Sequence, residues 1–379
     1  MPRNLIIGLL AFLTLIDLFG AQALLPQLRA KFDVDPSSVG LAVNSSIFGM
    51  AVAGVIVVFL SQKMDRMRGI VFSLALLAVP TFLLGFVDDL ALFSALRVVQ
   101  GILMASAFTL TMSYLSEECL ATEAATAMAA YITGNVLSNL IGRIMAANFA
   151  DWFGLSVSFW LFALLNLSGA ALAFFCLSST SSRVRSPSTP TVLEAVKIHL
   201  ANRSLRTSNL LGFVILFVFL AVFTFVNFVL SQPPFDLSGP QLGLVYIVFI
   251  PSLFTTPLAG RLSAKRGVFE AYTVSMLVAV AGLGSLMSSS LVLVLLGLAV
   301  VAVGTFCAQA VISGNIGTVA TVDRATASGM YLTSYYVGGL AGTAVMGPVF
   351  SRLGWNVVLS MLVLVCFLSL LVAAPLRQR

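Results

Sequence analysis

Apolar residues fill most of this chain of 379 residues, and short polar hinges divide them into twelve long stretches. A helix needs about 20 apolar residues to cross the hydrocarbon core of a bilayer, and each stretch is close to that length. The pattern therefore predicts an all-α membrane protein with twelve transmembrane helices. The predicted spans are 4–25, 38–60, 69–87, 90–112, 124–147, 153–177, 208–230, 241–260, 268–287, 291–318, 326–350 and 355–375.

The second six stretches repeat the first six at an offset of 200 residues. Because six helices separate the copies, the two halves share one topology and should be related by an axis along the membrane normal. We predict two six-helix bundles, 1–177 and 207–379, with a cytoplasmic linker at 178–206 and a cargo cavity between the bundles. The repeat is clearest where Ala125, Thr126, Tyr131, Thr133 and Gly142 match Ala325, Thr326, Tyr331, Thr333 and Gly342.

Composition and charge agree with a lipid environment. Charged residues make up only 9% of the chain, against about 25% in a typical soluble domain. With a cytoplasmic N-terminus, 15 of the 20 lysines and arginines lie on the cytoplasmic side, as the positive-inside rule requires. The net charge of +6 is then a topology signal, and binding to nucleic acid is excluded because the charges form no continuous patch. We expect both termini inside and a multi-pass location in the plasma membrane, which is the inner membrane of a bacterium.

Three charged residues lie deep within predicted spans, namely Asp17, Arg97 and Arg143. A charge at the centre of a membrane helix costs about 2.5 to 3.5 kcal/mol on insertion scales, so it normally faces a cavity or a partner. Asp17 stands about 20 Å into the first helix at 1.5 Å per residue, where a carboxylic acid can gain and lose a proton as its surroundings change. We predict that Asp17 and Arg97 form a proton-coupling site. The alternative is a static ion pair that holds helices together.

Polar residues at helical spacing indicate where cargo binds. Asn135, Asn139 and Arg143 follow at i, i+4 and i+8 and form one stripe on the fifth helix. The stripe is predicted to face the cavity, where Arg143 would contact an anionic group; alternatively, its long side chain extends to the membrane surface. The remaining predicted cavity residues are Gln100, Asn227, Gln309, Tyr331 and Tyr335.

Several segments resemble motifs of the major facilitator superfamily, and the resemblance covers essentially the whole chain. The hinge at 61–69 is similar to the family's G-x-x-x-D-R-x-G-R loop through Asp65 and Arg66, although Ser61 stands in place of its first glycine. The counterpart hinge after the eighth helix has Ala264 at the acidic position. The resemblance implies a gating role for Asp65 and Arg66, with an ordinary solvated hinge as the alternative.

Two further motifs lie within helices. The segment Arg97-Val98-Val99-Gln100-Gly101 looks like the R-x-x-Q-G element that the family associates with proton coupling. The fifth helix meets only two of the five defining positions of the antiporter pattern G-x-x-x-G-P-x-x-G-G. There, Gly134, Ser138 and Gly142 form a small-x-x-x-small stripe that permits close helix packing. We favour packing over an antiport-specific hinge.

The linker carries a single histidine, and the chain has no recognisable catalytic motif. His199, the only histidine, is expected to be a solvated residue of an amphipathic helix at 192–200. No pattern indicates an enzyme, a metal site or a cofactor, because an ATP-binding loop and a histidine-based catalytic set are both missing. We predict a monomer whose partners are small-molecule cargo, protons and the lipid bilayer.

The predicted function is proton-coupled efflux. Proton antiport of a small amphipathic drug or metabolite is preferred, as in the efflux branch of the family. Proton symport that imports a small organic anion is the alternative. A membrane enzyme or receptor built on the same helices is a third class.

Overall fold

The computed structural model describes residues 3–60, 65–118, 121–177, 192–320 and 322–378, and the regular structure within them is helical. The first part of the chain forms α1 (Arg3–Ala23), α2 (Leu25–Phe32), α3 (Pro36–Leu60), α4 (Arg66–Leu83), α5 (Leu90–Glu118), α6 (Ala121–Phe153) and α7 (Leu155–Cys176). The remainder forms α8 (Val192–Ala201), α9 (Arg203–Leu230), α10 (Gly239–Val245), α11 (Ile250–Arg266), α12 (Val268–Ser285), α13 (Leu291–Val319), α14 (Arg324–Leu353) and α15 (Trp355–Ala373).

Most of these helices suit a bilayer. Within the described residues, ten segments are long and apolar enough to cross a membrane. The fifth and eleventh predicted spans fall on α6 and α14, which are 33 and 30 residues long but are not among those ten. The chain is thus an all-helical, multi-pass membrane protein, and the count of twelve spans in two bundles stays a prediction.

The described residues group into two compact units. The first unit contains those of Met1–Val34, Ala42–Ser186 and Leu237–Tyr246. The second contains those of Asp35–Leu41, Pro187–Asp236 and Ile247–Arg379. The predicted bundle and linker boundaries stay a prediction.

Glycines bring α1 and α6 together in the first unit. Gly134 and Gly142 of α6 lie directly against the α1 backbone at Gly8 and Ile16, so that no side chain separates the two helices there. Dispersion contacts between closely approaching backbones are the main attraction between helices in lipid. These contacts support the packing interpretation of the small-residue stripe. The tight interface also restricts the rotation of α1, which carries Asp17.

The eighth predicted span, 241–260, is interrupted in the structure. After α10 the chain makes a 3₁₀ turn at Tyr246–Phe249 before α11 begins. Pro251 stands in the first turn of α11. Since proline has no backbone N–H to donate to a preceding turn, it suits a helix start and opposes one continuous helix through this point.

The histidine of the linker is not solvated. His199 on α8 is only 2% exposed, and its Nε2–H donates to the backbone carbonyl of Asp323 at 3.3 Å. The prediction of a solvated residue was wrong, because α8 packs against α9 and α14 within the second unit.

Candidate functional site

Asp17 lies at the centre of a buried polar cluster in the first unit. Its side chain is 1% exposed, and three donors from three other helices converge on Oδ2. Thr81 Oγ1 of α4 lies 3.2 Å away, Gln100 Nε2 of α5 lies 3.1 Å away and Asn166 Nδ2 of α7 lies 3.3 Å away. These donors are all uncharged, so the cluster stabilises the carboxyl group by hydrogen bonding.

The two carboxyl oxygens of Asp17 have different surroundings. In contrast to Oδ2, the buried Oδ1 has no hydrogen-bond partner within the described part of the chain, and neither has Oδ1 of Asn166. Buried polar atoms in folded proteins are nearly always hydrogen-bonded. The cluster is therefore unusual, because it contains two buried acceptor oxygens, Asp17 Oδ1 and Asn166 Oδ1, to which no described residue donates a hydrogen bond.

Arg97 connects to the cluster through Gln100. Its Nη1 donates to Gln100 Oε1 at 2.8 Å and lies 3.5 Å from the backbone carbonyl of Asp17. On the α3 side, Nε donates to the Val43 carbonyl and Nη2 to Ser46 Oγ, both at 2.9 Å. The guanidinium thus meets the main chain of Asp17 and reaches its carboxyl group by way of the Gln100 amide. Asp17 and Arg97, predicted as the proton-coupling pair, thus share one hydrogen-bonded network with Gln100, which was predicted to line the cavity.

Arg143 forms a second buried cluster in the same unit. Its Nε donates to Asn139 Oδ1 at 2.9 Å and its Nη2 to Gln22 Oε1 at 2.5 Å. The ring of Tyr246 covers the guanidinium, with its centroid 3.9 Å from Cζ, in a cation–π contact. The side chain is 0% exposed, so it does not extend to the membrane surface as one interpretation of the sequence allowed. Asn135 is half-buried and takes no part in these contacts.

The candidate residues of the second unit are neutral and largely aromatic. The rings of Tyr331 and Tyr335 on α14 lie 5.9 Å apart between centroids. Tyr331 is 3% exposed, and its hydroxyl has no hydrogen-bond partner among the described residues. Asn227 donates to the Phe223 carbonyl of its own helix at 2.8 Å, and Gln309 is half-buried on α13. The structure brings the two tyrosines together but does not join them to Asn227 or Gln309.

The predicted gating residues stand at the start of α4. Asp65 Oδ1 accepts from the backbone N–H of Arg68 at 2.8 Å, which makes Asp65 the N-cap of this helix. Arg66 is the first residue of α4. Residues 61–64 of the motif lie outside the described part of the chain, and the gating role stays a prediction.

Sequence reasoning missed Thr81, Asn166, Gln22 and Tyr246. Asn166 had a detectable signal, because it is the only amide side chain in α7 and a polar group within a membrane span is costly unless it has a partner. Threonine carries no such signal, since its hydroxyl can bond to its own helix. The single hydroxyl proton of Thr81 is shared between the Leu77 carbonyl at 2.8 Å and Asp17 Oδ2 at 3.2 Å. Within the described ranges, no three His, Cys, Asp or Glu side chains are grouped to hold a metal ion.

Comparison with known proteins places these clusters in a family of transporters. A family model described as Major Facilitator Superfamily matches residues 7–235. The inner membrane transport protein YnfM of Escherichia coli K12 is 26% identical over 366 residues, which cover 96% of this chain and 87% of that protein. The uncharacterized MFS-type transporter YybF of Bacillus subtilis is 25% identical over 373 residues, covering 97% and 91% respectively.

Solved structures share the fold. A bacterial homolog of the human lysosomal transporter Spinster, in an inward-facing and occupied conformation, superposes with a TM-score of 0.78 at 14% identity, covering 98% of this chain and 95% of that chain. The nucleoside transporter NupG superposes with a TM-score of 0.77 at 16% identity, covering 99% of each chain.

These similarities agree with the apolar helices and with the polar side chains buried among them. The family match covers more than half of the chain, and the relatives are transporters along nearly their whole length. A role in moving small molecules across a membrane, without enzymatic chemistry, follows. The chain belongs to the Major Facilitator Superfamily.

Proposed function

We propose that this protein is a proton-coupled secondary active transporter that exports a small amphipathic drug or metabolite by alternating access. Its location would be a bacterial inner membrane, with both termini in the cytoplasm. The observation that carries the proposal is the Asp17 carboxyl group, which is 1% exposed and is contacted at Oδ2 by uncharged donors alone.

A carboxyl group in this position suits proton exchange. An ionised carboxylate is costly to remove from water, and hydrogen bonds from neutral groups offset only part of that cost. We infer that the group is neutral while the cluster is closed and ionises when water reaches it. Release of the proton then accompanies opening of the helices around Asp17. Coupling requires this link between proton release and conformational change.

The internal repeat does not carry the Asp17 and Arg97 pair into the second half of the sequence. At the offset of 200 residues, the position equivalent to Asp17 is Phe217 and the position equivalent to Arg97 is Gly297. Arg97 tunes the site through Gln100, which receives one guanidinium N–H and donates to the carboxyl group. In the second unit, the half-buried ring of Tyr335, which lies beside the buried ring of Tyr331, offers an aromatic surface on which an amphipathic cargo can pack.

The test is transport in proteoliposomes with an imposed pH gradient. Compounds from a library of small amphipathic drugs and metabolites should move against the direction of proton flow, and Asp17→Asn should abolish gradient-driven movement while leaving cargo binding measurable. Amide and protonated acid have nearly the same shape, and only the acid exchanges a proton. Asp88→Asn is the matched control, since the Asp88 side chain is 89% exposed and pairs with Lys31 at 3.1 Å. Wild-type rates in Asp17→Asn would contradict the proposal.

Proton symport of a small organic anion is the second candidate. It is favoured by one observation, the Arg143 guanidinium held between Gln22 and Asn139 at full burial, because a cation among carboxamides can bind a carboxylate with charge-assisted hydrogen bonds. The same assay separates the two functions. Cargo added outside the vesicles draws protons inward under symport and outward under antiport.

A further inference from the structure

Asn166 of α7 faces the carboxyl group of Asp17 across the interior of the first unit. Its Nδ2 donates to Asp17 Oδ2 at 3.3 Å and to Thr81 Oγ1 at 3.1 Å. Asn166 is 0% exposed and Asp17 is 1% exposed. The two side chains are therefore fixed against each other in a space closed to solvent.

The hydrogen bonds around this pair are distributed unevenly. Three donors converge on Oδ2 of Asp17, whereas Oδ1 of Asp17 and Oδ1 of Asn166 are both buried without a hydrogen-bond partner. An ionised carboxylate is an acceptor at both oxygens, whereas a carboxylic acid has one carbonyl acceptor and one hydroxyl donor. Leaving two buried acceptors without a donor is costly. A single proton on Asp17 Oδ1 turns that oxygen into a donor and gives Asn166 Oδ1 a hydrogen bond to accept.

We propose that the proton taken up by Asp17 resides on Oδ1 and is donated to Oδ1 of Asn166, so that Asn166 is the positioning residue that holds Asp17 in its protonated state. The inference rests on the proposed function, which makes Asp17 the proton-exchanging group. With the existing Nδ2–H bond to Oδ2, the new bond closes an eight-membered acid–amide ring. When the site opens, the Oδ1–H bond breaks, its electron pair stays on Asp17, and the proton leaves to water. The ring then loses one of its two bonds, which loosens α7 from α1.

The charged groups near Asp17 cannot take this role. From α5, Arg97 reaches the backbone carbonyl of Asp17 at 3.5 Å, and from α6, Arg143 bonds to Gln22 further along α1. An arginine carries only donors and stays protonated, so neither can accept the hydroxyl proton. The hydrogen-bond partners of the carboxyl group from α4 and α7 are the uncharged Thr81 and Asn166. Among the described residues that bond to the Asp17 carboxyl group, Asn166 has a buried amide oxygen without a donor.

Infrared difference spectroscopy on the full-length protein in liposomes tests this inference. Spectra at low pH minus high pH are recorded on protein in which the side-chain carbonyl of asparagine carries ¹³C. We expect a C=O band of a protonated acid that disappears in Asp17→Asn. In the same spectrum, one asparagine C=O band should move to lower frequency, because accepting a hydrogen bond weakens the C=O bond. That shift should vanish in both Asp17→Asn and Asn166→Leu.

Thr81→Val is the matched control, since it removes a donor at Asp17 Oδ2 and an acceptor of Asn166 Nδ2 but leaves both Oδ1 atoms in place. The asparagine shift should persist in this variant. An acid band from Asp17 without any asparagine shift would overturn the role of Asn166 and leave the proposed function standing, because water or another group would then receive the proton. Absence of an Asp17 acid band over the pH range that drives transport would overturn both proposals. If Asn166→Leu does not fold, loss of the asparagine shift in Asp17→Asn is decisive, because Asn166 is the asparagine that bonds to the Asp17 carboxyl group.

Discussion

Replacing Gly142 with alanine should push α1 and α6 apart and destabilise the first unit. A methyl group at this position would lie 2.7 Å from the backbone oxygen of Ile16. Ordinary van der Waals contact begins at 3.4 Å, so one helix must retreat by 0.7 Å, the difference between those distances. The obstacle is main chain, which cannot turn away as a flexible side chain can. Overpacking of this kind costs about 1 to 3 kcal/mol, against a gain of about 0.5 to 1 kcal/mol from replacing a helical glycine.

The net loss, about 1 kcal/mol from the midpoints of the two ranges, can be measured as a fall in the thermal unfolding midpoint in detergent. Gly314→Ala on α13 is the matched control, because no atom lies within 4 Å of its added methyl group, and it should raise the midpoint. Equal midpoints for the two variants would refute the packing argument. The transport rate per folded molecule is a second measurement. If Gly142 serves packing only, this rate should be unchanged in Gly142→Ala. Loss of transport at an unchanged midpoint would favour a hinge.

Three further predictions follow from individual contacts. Arg97→Lys should lower both the transport rate and the unfolding midpoint although it keeps the positive charge. A single ammonium group cannot reach Val43 and Gln100 together, as the guanidinium group does. Wild-type transport and stability in this variant would show that the charge alone suffices. At the cap of α4, Asp65→Asn should retain stability and Asp65→Ala should lose about 1 kcal/mol, since asparagine caps nearly as well as aspartate. Spin-label distances between the cytoplasmic ends of the two bundles should change in both Asp65 variants if charge acts in gating, and in neither if Asp65 is only a cap. Hydrogen bonds from Ser38 hold the pKa of Asp35 below its usual value, so its stabilising effect is complete above about pH 4 and is lost as the pH falls through the lowered pKa. Unfolding midpoints of Asp35→Asn and wild type should accordingly differ at pH 7 and converge in acid.

The sequence determined the family, the helical class and the position of the central acid. The length of an apolar run decides whether a helix can span lipid, and that property needs no tertiary contact. The same holds for Asp17, because an ionisable group within such a run is costly whichever way it points. The pairing of Arg97 with Gln100 was also within reach, since residues three apart lie on one face of a helix.

Only the tertiary structure decided what surrounds those residues. Four helices must rotate and pack before Thr81, Gln100 and Asn166 meet Asp17 on one oxygen. Hydroxyl and amide groups are common enough in membrane helices that nothing in the chain singles out this set. The cover over Arg143 comes from Tyr246, which lies about a hundred residues further along the sequence. The sequence shows which residues are energetically costly within lipid. The packing of the helices determines which partner offsets that cost.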